Sequence, residues 1–173
     1  GDQMHLPVKQ IKLLEKEINL QREKLSIQEQ ERANLGAQLT DRFGIRFDEE
    51  GFIKDYADTL TSLKDEVNQL TNAYNNEATE EGQERLSNEI EVAKENLEQF
   101  KDLYQRYDQL QGKEIQDTIN QIEELKDSIE DLRVQAYKTS QEALDDLKEL
   151  QMKKENDEIP IDILIYNLVR FAP

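Results

Sequence analysis

The chain has 173 residues, of which 36% are hydrophobic, 35% charged and 6% aromatic. That is too little apolar material for a sizeable globular core, and it suits long helices that share a narrow apolar seam. A net charge of -17, from 39 acidic against 22 basic residues, repels phosphate backbones and anionic lipid surfaces, and the absence of cysteine rules out a disulfide framework or a thiolate metal site.

General nucleic-acid binding is therefore not expected. The richest basic stretch, Lys9 to Lys24, interleaves its lysines with Glu15, Glu17 and Glu23 and reads as a solvated helix face. No apolar run approaches the ~20 residues that cross a bilayer, and Gly1-Asp2-Gln3-Met4 lacks both the basic and the apolar region of a secretory signal, so a soluble protein without a membrane partner is expected. A start at Gly1 and a stop just after an apolar run suggest a fragment or a processed product. The lack of cysteine suits a reducing cytosol and equally a particle held together by packing.

In chain order, residues 1–7 read as a flexible N-terminus, with Pro7 in a first-turn position. Residues 8–42 form the first helix, on a seam of Ile11, Leu14, Ile18, Leu25, Leu35 and Leu39. Gln21, Gln28 and Arg32 interrupt that seam, while Leu13, Leu20 and Ile27 add a second stripe seven residues apart. The second stripe signals either another neighbouring helix, including a second copy of the chain, or an irregular two-helix seam.

Gly44 is a stop signal, a residue suited to the left-handed turn that closes a helix. Residues 43–54 then read as a hairpin-like insert. Ile45-Arg46-Phe47 and Phe52-Ile53-Lys54 alternate apolar and polar around the turn Asp48-Glu49-Glu50-Gly51, with Phe43, Phe47 and Phe52 packing on flanking helices.

Asp55 is placed to cap a second helix over 55–76, whose seam Tyr56, Leu60, Leu63, Val67, Leu70 and Tyr74 follows coiled-coil spacing. A turn rich in Asn leads to Thr79, the expected cap of a third helix over 79–155, roughly 115 Å long at ~1.5 Å per residue. Between Tyr107 and Ile115 its register slips by one residue near Gly112, which predicts a local bend.

The fold class expected is all-α, an elongated antiparallel helical hairpin or coiled coil with a short β-hairpin-like insert. Helix 55–75 would pair with 85–110 and helix 8–42 with 112–150, placing the insert opposite Gly112. Residues 156–173 break the charged composition. Pro160 ends any arriving helix, and the apolar residues beyond it either dock a partner, fold back, or belong to a neighbouring domain.

No catalytic constellation is apparent, because the many carboxylates fall on solvated helix faces where little shifts their ionisation. His5 is the only histidine and has no cysteine to join it as a ligand. Aligning Gly51 with the glycine of a calcium loop puts Arg46 at the first ligand position and Ala57 at the bidentate glutamate, so a plain turn is the better reading. No glycine-rich phosphate loop is present and the tyrosines hold seam positions, so neither cofactor nor metal is expected. Candidate protein-interaction residues are Phe47 and Phe52 in the insert and Ile161, Ile163, Ile165, Leu168 and Phe171 in the tail.

Phe43-Gly44, Phe47-Asp48-Glu49, Gly51, Ile53 and Tyr56 form an FxFDExGxIxxY-like element that breaks a coiled coil before helix resumes. This resembles helical segments of phage tail tape-measure and related virion-internal proteins, and loosely so does the acidic hairpin from 57 to 150. The resemblance implies a structural or assembly role as spacer or scaffold in a virion, among virion proteins or copies of itself, with no catalytic residues to carry over; the pattern does not call for the tail. Two other classes fit the composition: a cytoplasmic coiled-coil adaptor that binds a protein through 43–54 or 159–171, and a helical arm of a larger ATPase or transport adaptor.

Overall fold

A computed structural model describes the backbone of residues 2–157 and the side chains of residues 6–153. The regular structure of these residues is helical, in the order α1 (Asp2–Phe43), α2 (Tyr56–Asn76), α3 (Glu80–Gln109), a π-helical turn (Leu110–Glu114) and α4 (Ile115–Asp157). The class is all-α.

Helix α1 begins at Asp2, within the residues 1–7 read from the sequence as a flexible N-terminus. Pro7 lies inside the helix. With the helix starting at Asp2 it stands in the second turn rather than in the first-turn position expected for it, and its missing amide removes one intrahelical hydrogen bond there.

Packing divides the chain into two compact units, residues 24–118 and residues 1–23 with 119–173. In the first, α2 and α3 pack together across the short connection at residues 77–79. Glu77 is extended and ends α2, its Oε1 accepting from the amide (3.2 Å) and hydroxyl (2.9 Å) of Thr79. The Thr79 hydroxyl in turn accepts from Gly82 N (3.0 Å), the N-cap expected there. These two bonds to Thr79 hold the Glu77 carboxyl below the usual carboxylate range.

The buried residues of α3 are Leu86, Ala93, Phe100 and Tyr107, each seven apart. The next heptad position is Glu114, yet the buried residues are Leu110 and Ile115. The π-helical turn explains the displacement. The Ile115 amide reaches back five residues to Leu110 O, so one extra residue is absorbed before burial resumes along Ile115, Ile122 and Ile129. This is the physical form of the register slip read near Gly112, and it interrupts the single helix expected over 79–155.

The core of this unit gathers Leu39 from α1, Ile45 from the following loop, and Phe100 and Tyr107 from α3. Tyr56 at the start of α2 stacks on Tyr104 with ring centroids 3.7 Å apart, and Phe43 packs on Phe100 at 5.0 Å. Two seam positions of α1 that carry polar residues find polar partners. Thr118 donates its hydroxyl to the buried Gln28 Oε1 (2.7 Å), and Arg32 Nη1 donates to Gln111 Oε1 (2.7 Å). Pairing them avoids the cost of an unsatisfied buried group.

In the other unit, the buried residues among those described are Pro7 and Ile18 of α1 and Ile122, Leu125, Ile129 and Ala143 of α4. Arg133 and Glu15 approach to 3.9 Å across the two helices, and an open groove is lined by Gln10, Leu13 and Leu14 of α1 with Ser128, Asp131 and Leu132 of α4. No helix among the described residues is long and apolar enough to cross a membrane.

Candidate interaction site at the loop of residues 44–55

The loop starts where α1 must stop. Gly44 adopts φ +65°, a left-handed conformation that a side chain disfavours, and the amides of Gly44 and Ile45 bond back to Thr40 O (2.9 Å) and Leu39 O (3.3 Å). That reversal drives Ile45 into the core. Thr40 fixes it by donating its hydroxyl to Ile45 O (3.0 Å).

In place of two strands, one antiparallel bridge joins Phe47 and Ile53, flanked by the bonds Asp48 N to Phe52 O (2.8 Å) and Lys54 N to Arg46 O (3.0 Å). The segment is too short for more. Gly44 and Ile45 are used to close α1, and Asp48 to Gly51 are used for the turn. Asp48 Oδ1 accepts from the amides of Glu50 and Phe52, both at 2.9 Å, and Gly51 at φ +91° completes the reversal. The carboxylate considered for calcium thus serves the turn, and no group of three or more metal-binding side chains occurs among the described residues.

Asp55 precedes α2 as expected but makes no side-chain cap hydrogen bond. Its carboxylate instead takes Arg46, with Nε to Oδ2 at 2.9 Å and Nη2 to Oδ1 at 3.2 Å. This two-point grip ties the ends of the bridge together. The Arg46 guanidinium holds the Asp55 carboxyl below its ordinary range.

The turn is fastened to the π-helical turn and the end of α3. Tyr107, only 6% exposed, donates its hydroxyl to Gly51 O (2.5 Å), and Gln111 Nε2 donates to Glu50 O (2.7 Å). Gln111 therefore links the loop to Arg32 of α1. Beneath it, Arg106 Nε and Nη2 grip Glu31 at 2.5 and 3.0 Å, while Nη1 reaches both oxygens of Glu114 at 2.8 and 2.9 Å. The hydrogen bonds from Arg106 hold the Glu31 carboxyl below its usual range, and those two carboxylates raise the arginine. Burial pushes the Tyr107 hydroxyl up.

Of the two insert residues expected to meet a partner, Phe47 turns inward. Its ring lies 5.0 Å from that of Tyr107 and beside Gly36 of α1. Phe52 stays at the surface, 37% exposed, with its ring edge near Gly112. The insert thus lies against the register slip, as the helix lengths suggested. Ile161, Ile163, Ile165, Leu168 and Phe171 lie outside the described residues.

The residues that reading the sequence missed are Arg106, Gln111 and Glu31, which sit in an ordinary charged helical context. The only signal for them was indirect. A glycine-containing slip in one helix opposite a glycine-containing insert marks a place where polar side chains must bridge displaced backbone. Comparison with known protein families, curated proteins and solved structures finds no match.

Proposed function

We propose that this chain is a structural, non-enzymatic spacer or scaffold that works as a coiled-coil helical hairpin, of the kind found inside phage tails and related virion interiors. The observation that carries the reading is the fastening of the loop. Side chains of Tyr107 and Gln111 hold the carbonyls of Gly51 and Glu50, so the loop is a fixed wedge rather than a mobile lid. In this reading the insert is hairpin-like in role, with one bridge, a bound turn and a defined register against the neighbouring helices.

Its mechanism is geometric. Seven-residue spacing of buried residues sets helix registration, the turn at 77–79 limits length, and the wedge fixes one level along the scaffold. The partners are other virion proteins or copies of the chain, the location is the virion, and no nucleic acid, membrane, cofactor or metal takes part. Mass spectrometry of particles purified from a host that carries the gene tests this. Peptides of the chain should enrich with the particles, and their confinement to the cleared cytoplasm would overturn the proposal.

One observation favours a second reading, a cytoplasmic adaptor that binds a protein. Phe52 is left exposed on an otherwise fastened loop, the arrangement of a rigid anchor residue. Loss of a specific pull-down on Phe52→Ala, with the chain absent from particles, would select this reading.

A further inference from the structure

The face of α1 in the unit of residues 1–23 and 119–173 is unexplained by the packing within that unit. Ile18 is buried there, whereas Leu6, Leu13 and Leu20, seven residues apart, are 58%, 65% and 58% exposed. Seven-residue spacing places them on one line along the helix. Leucines repeated at this spacing are the pattern of a helix that meets another helix, and no described element of the unit buries them.

We propose that this line is a self-association surface, on which two copies of the chain pack their Leu6, Leu13 and Leu20 side by side, parallel and in register. The inference rests on the assembly reading for its biological use. The chemistry of the face names the occupant.

Charge is the first argument for a second copy. A chain of net charge -17 repels itself, yet residues 1–23 hold four basic residues (Lys9, Lys12, Lys16 and Arg22) and four acidic ones (Asp2, Glu15, Glu17 and Glu23). The whole net charge therefore lies in residues 24–173, and this stretch of α1 adds no repulsion of its own where two copies meet.

The flanks then select the direction. Lys9 and Lys16 border the leucine line on one side, Gln10 and Glu17 on the other. Two parallel helices in register bring opposite flanks together, so Lys16 of each copy faces Glu17 of the other, and Lys9 faces Gln10. Antiparallel pairing brings like flanks together. With Leu13 against Leu20, Lys16 meets Lys16 and Glu17 meets Glu17; with Leu13 against Leu13, Lys9 meets Lys16. Both antiparallel registers are opposed by like charge.

The groove beside Leu13 fits the same direction. It lies on the flank that receives the lysines of the second copy, and its α4 wall presents Asp131 next to Leu132. Three leucines and their flanks fall short of the ~800 Å² per partner of a standard stable interface, so association should be weak, with half-dimerisation at roughly 100 µM.

Sedimentation velocity on the full chain from about 10 µM to about 1 mM tests this directly. The mass should double reversibly across the series, and Leu13→Glu should stay monomeric with unchanged circular dichroism and melting, because Leu13 is outside the core. The chain has no cysteine, so Leu13→Cys reports register. Mild oxidation should link two copies through position 13, while Gln121→Cys, on an exposed position of α4, should not link.

A monomer throughout the series, or a dimer that survives Leu13→Glu, would overturn the proposal. So would a dimer that fails to link through position 13. Protection of the thiol in the Leu13→Cys monomer from a water-soluble maleimide would also overturn it, by showing that another part of the chain, such as residues 158–173, covers the line. These outcomes are independent of whether the chain co-purifies with particles.

Discussion

Replacing Arg106 by glutamine removes the charge that joins Glu31 of α1 to Glu114 of the π-helical turn. Four donor–acceptor distances between 2.5 and 3.0 Å make this the densest charged contact in the unit of residues 24–118. The side chains of Arg106, Glu31 and Glu114 are 37%, 38% and 36% exposed, so solvent screens the pairs. Exposed ion pairs contribute ~0.2–1 kcal/mol each, and the two-point geometry places these toward the upper end, for about 1–2 kcal/mol in total.

Urea unfolding followed by circular dichroism measures the loss, and a double-mutant cycle with Glu31→Gln isolates one pair, with an expected coupling of about 0.5–1 kcal/mol. The sign with pH follows from the depressed Glu31 carboxyl. Its contribution is present above the unfolded value of 4.5 and is lost as pH falls through the lower folded value. Raising salt should shrink it as well. A coupling indistinguishable from zero at neutral pH and low salt, or one unchanged at pH 3, would refute this view of Arg106.

Gly44→Ala meets no atom within 4 Å, so its cost is backbone strain alone, about 1–2 kcal/mol, with Gly44→Asn costing less; equal melting of all three chains would contradict the left-handed turn. Leu39→Ala removes a fully buried side chain and should cost ~2–5 kcal/mol in unfolding free energy, whereas Phe52→Ala at the surface should change stability by less than ~0.5 kcal/mol. Comparable losses from the two would place the core wrongly. Proton titration by NMR should find the Asp55 carboxyl below the ordinary aspartate range, and Arg46→Gln should return it upward; no change on that substitution would remove the ion pair across the loop.

Much of the backbone plan was legible because it depends on residues with local rules. Gly44 and Thr79 announced a stop and a start by chemistry that acts over three or four residues, and both do so in the structure. The slip between Tyr107 and Ile115 was countable from apolar spacing, although counting could not distinguish a bend from a π-helical turn. That distinction depends on which backbone bonds survive beside a partner.

Asp55 shows where local rules give way. Its position before α2 suits a cap, but Arg46 offers a charge at two-point distance, and the ion pair wins the carboxylate. Phe47 and Phe52 look alike in sequence and are separated only by the turn, which aims one ring at Tyr107 and the other toward solvent. Tyr107 itself read as one more seam residue. Its hydroxyl bond to Gly51 depends on two segments distant in sequence, and nothing local to either announces it.

Hydrogen exchange of the peptide covering residues 44–55 bears most directly on the loop as a fixed wedge. The amides of Asp48, Glu50, Gly51, Phe52 and Lys54 all have acceptors within the loop, and the turn is held from outside by Tyr107 and Gln111. These amides should exchange at least ~100-fold more slowly than in an unstructured peptide, and Tyr107→Phe should accelerate them about 3–10-fold while leaving α2 unchanged. Exchange at the rate of a free peptide in the unmodified chain would contradict a fastened loop and leave a mobile recognition segment in its place.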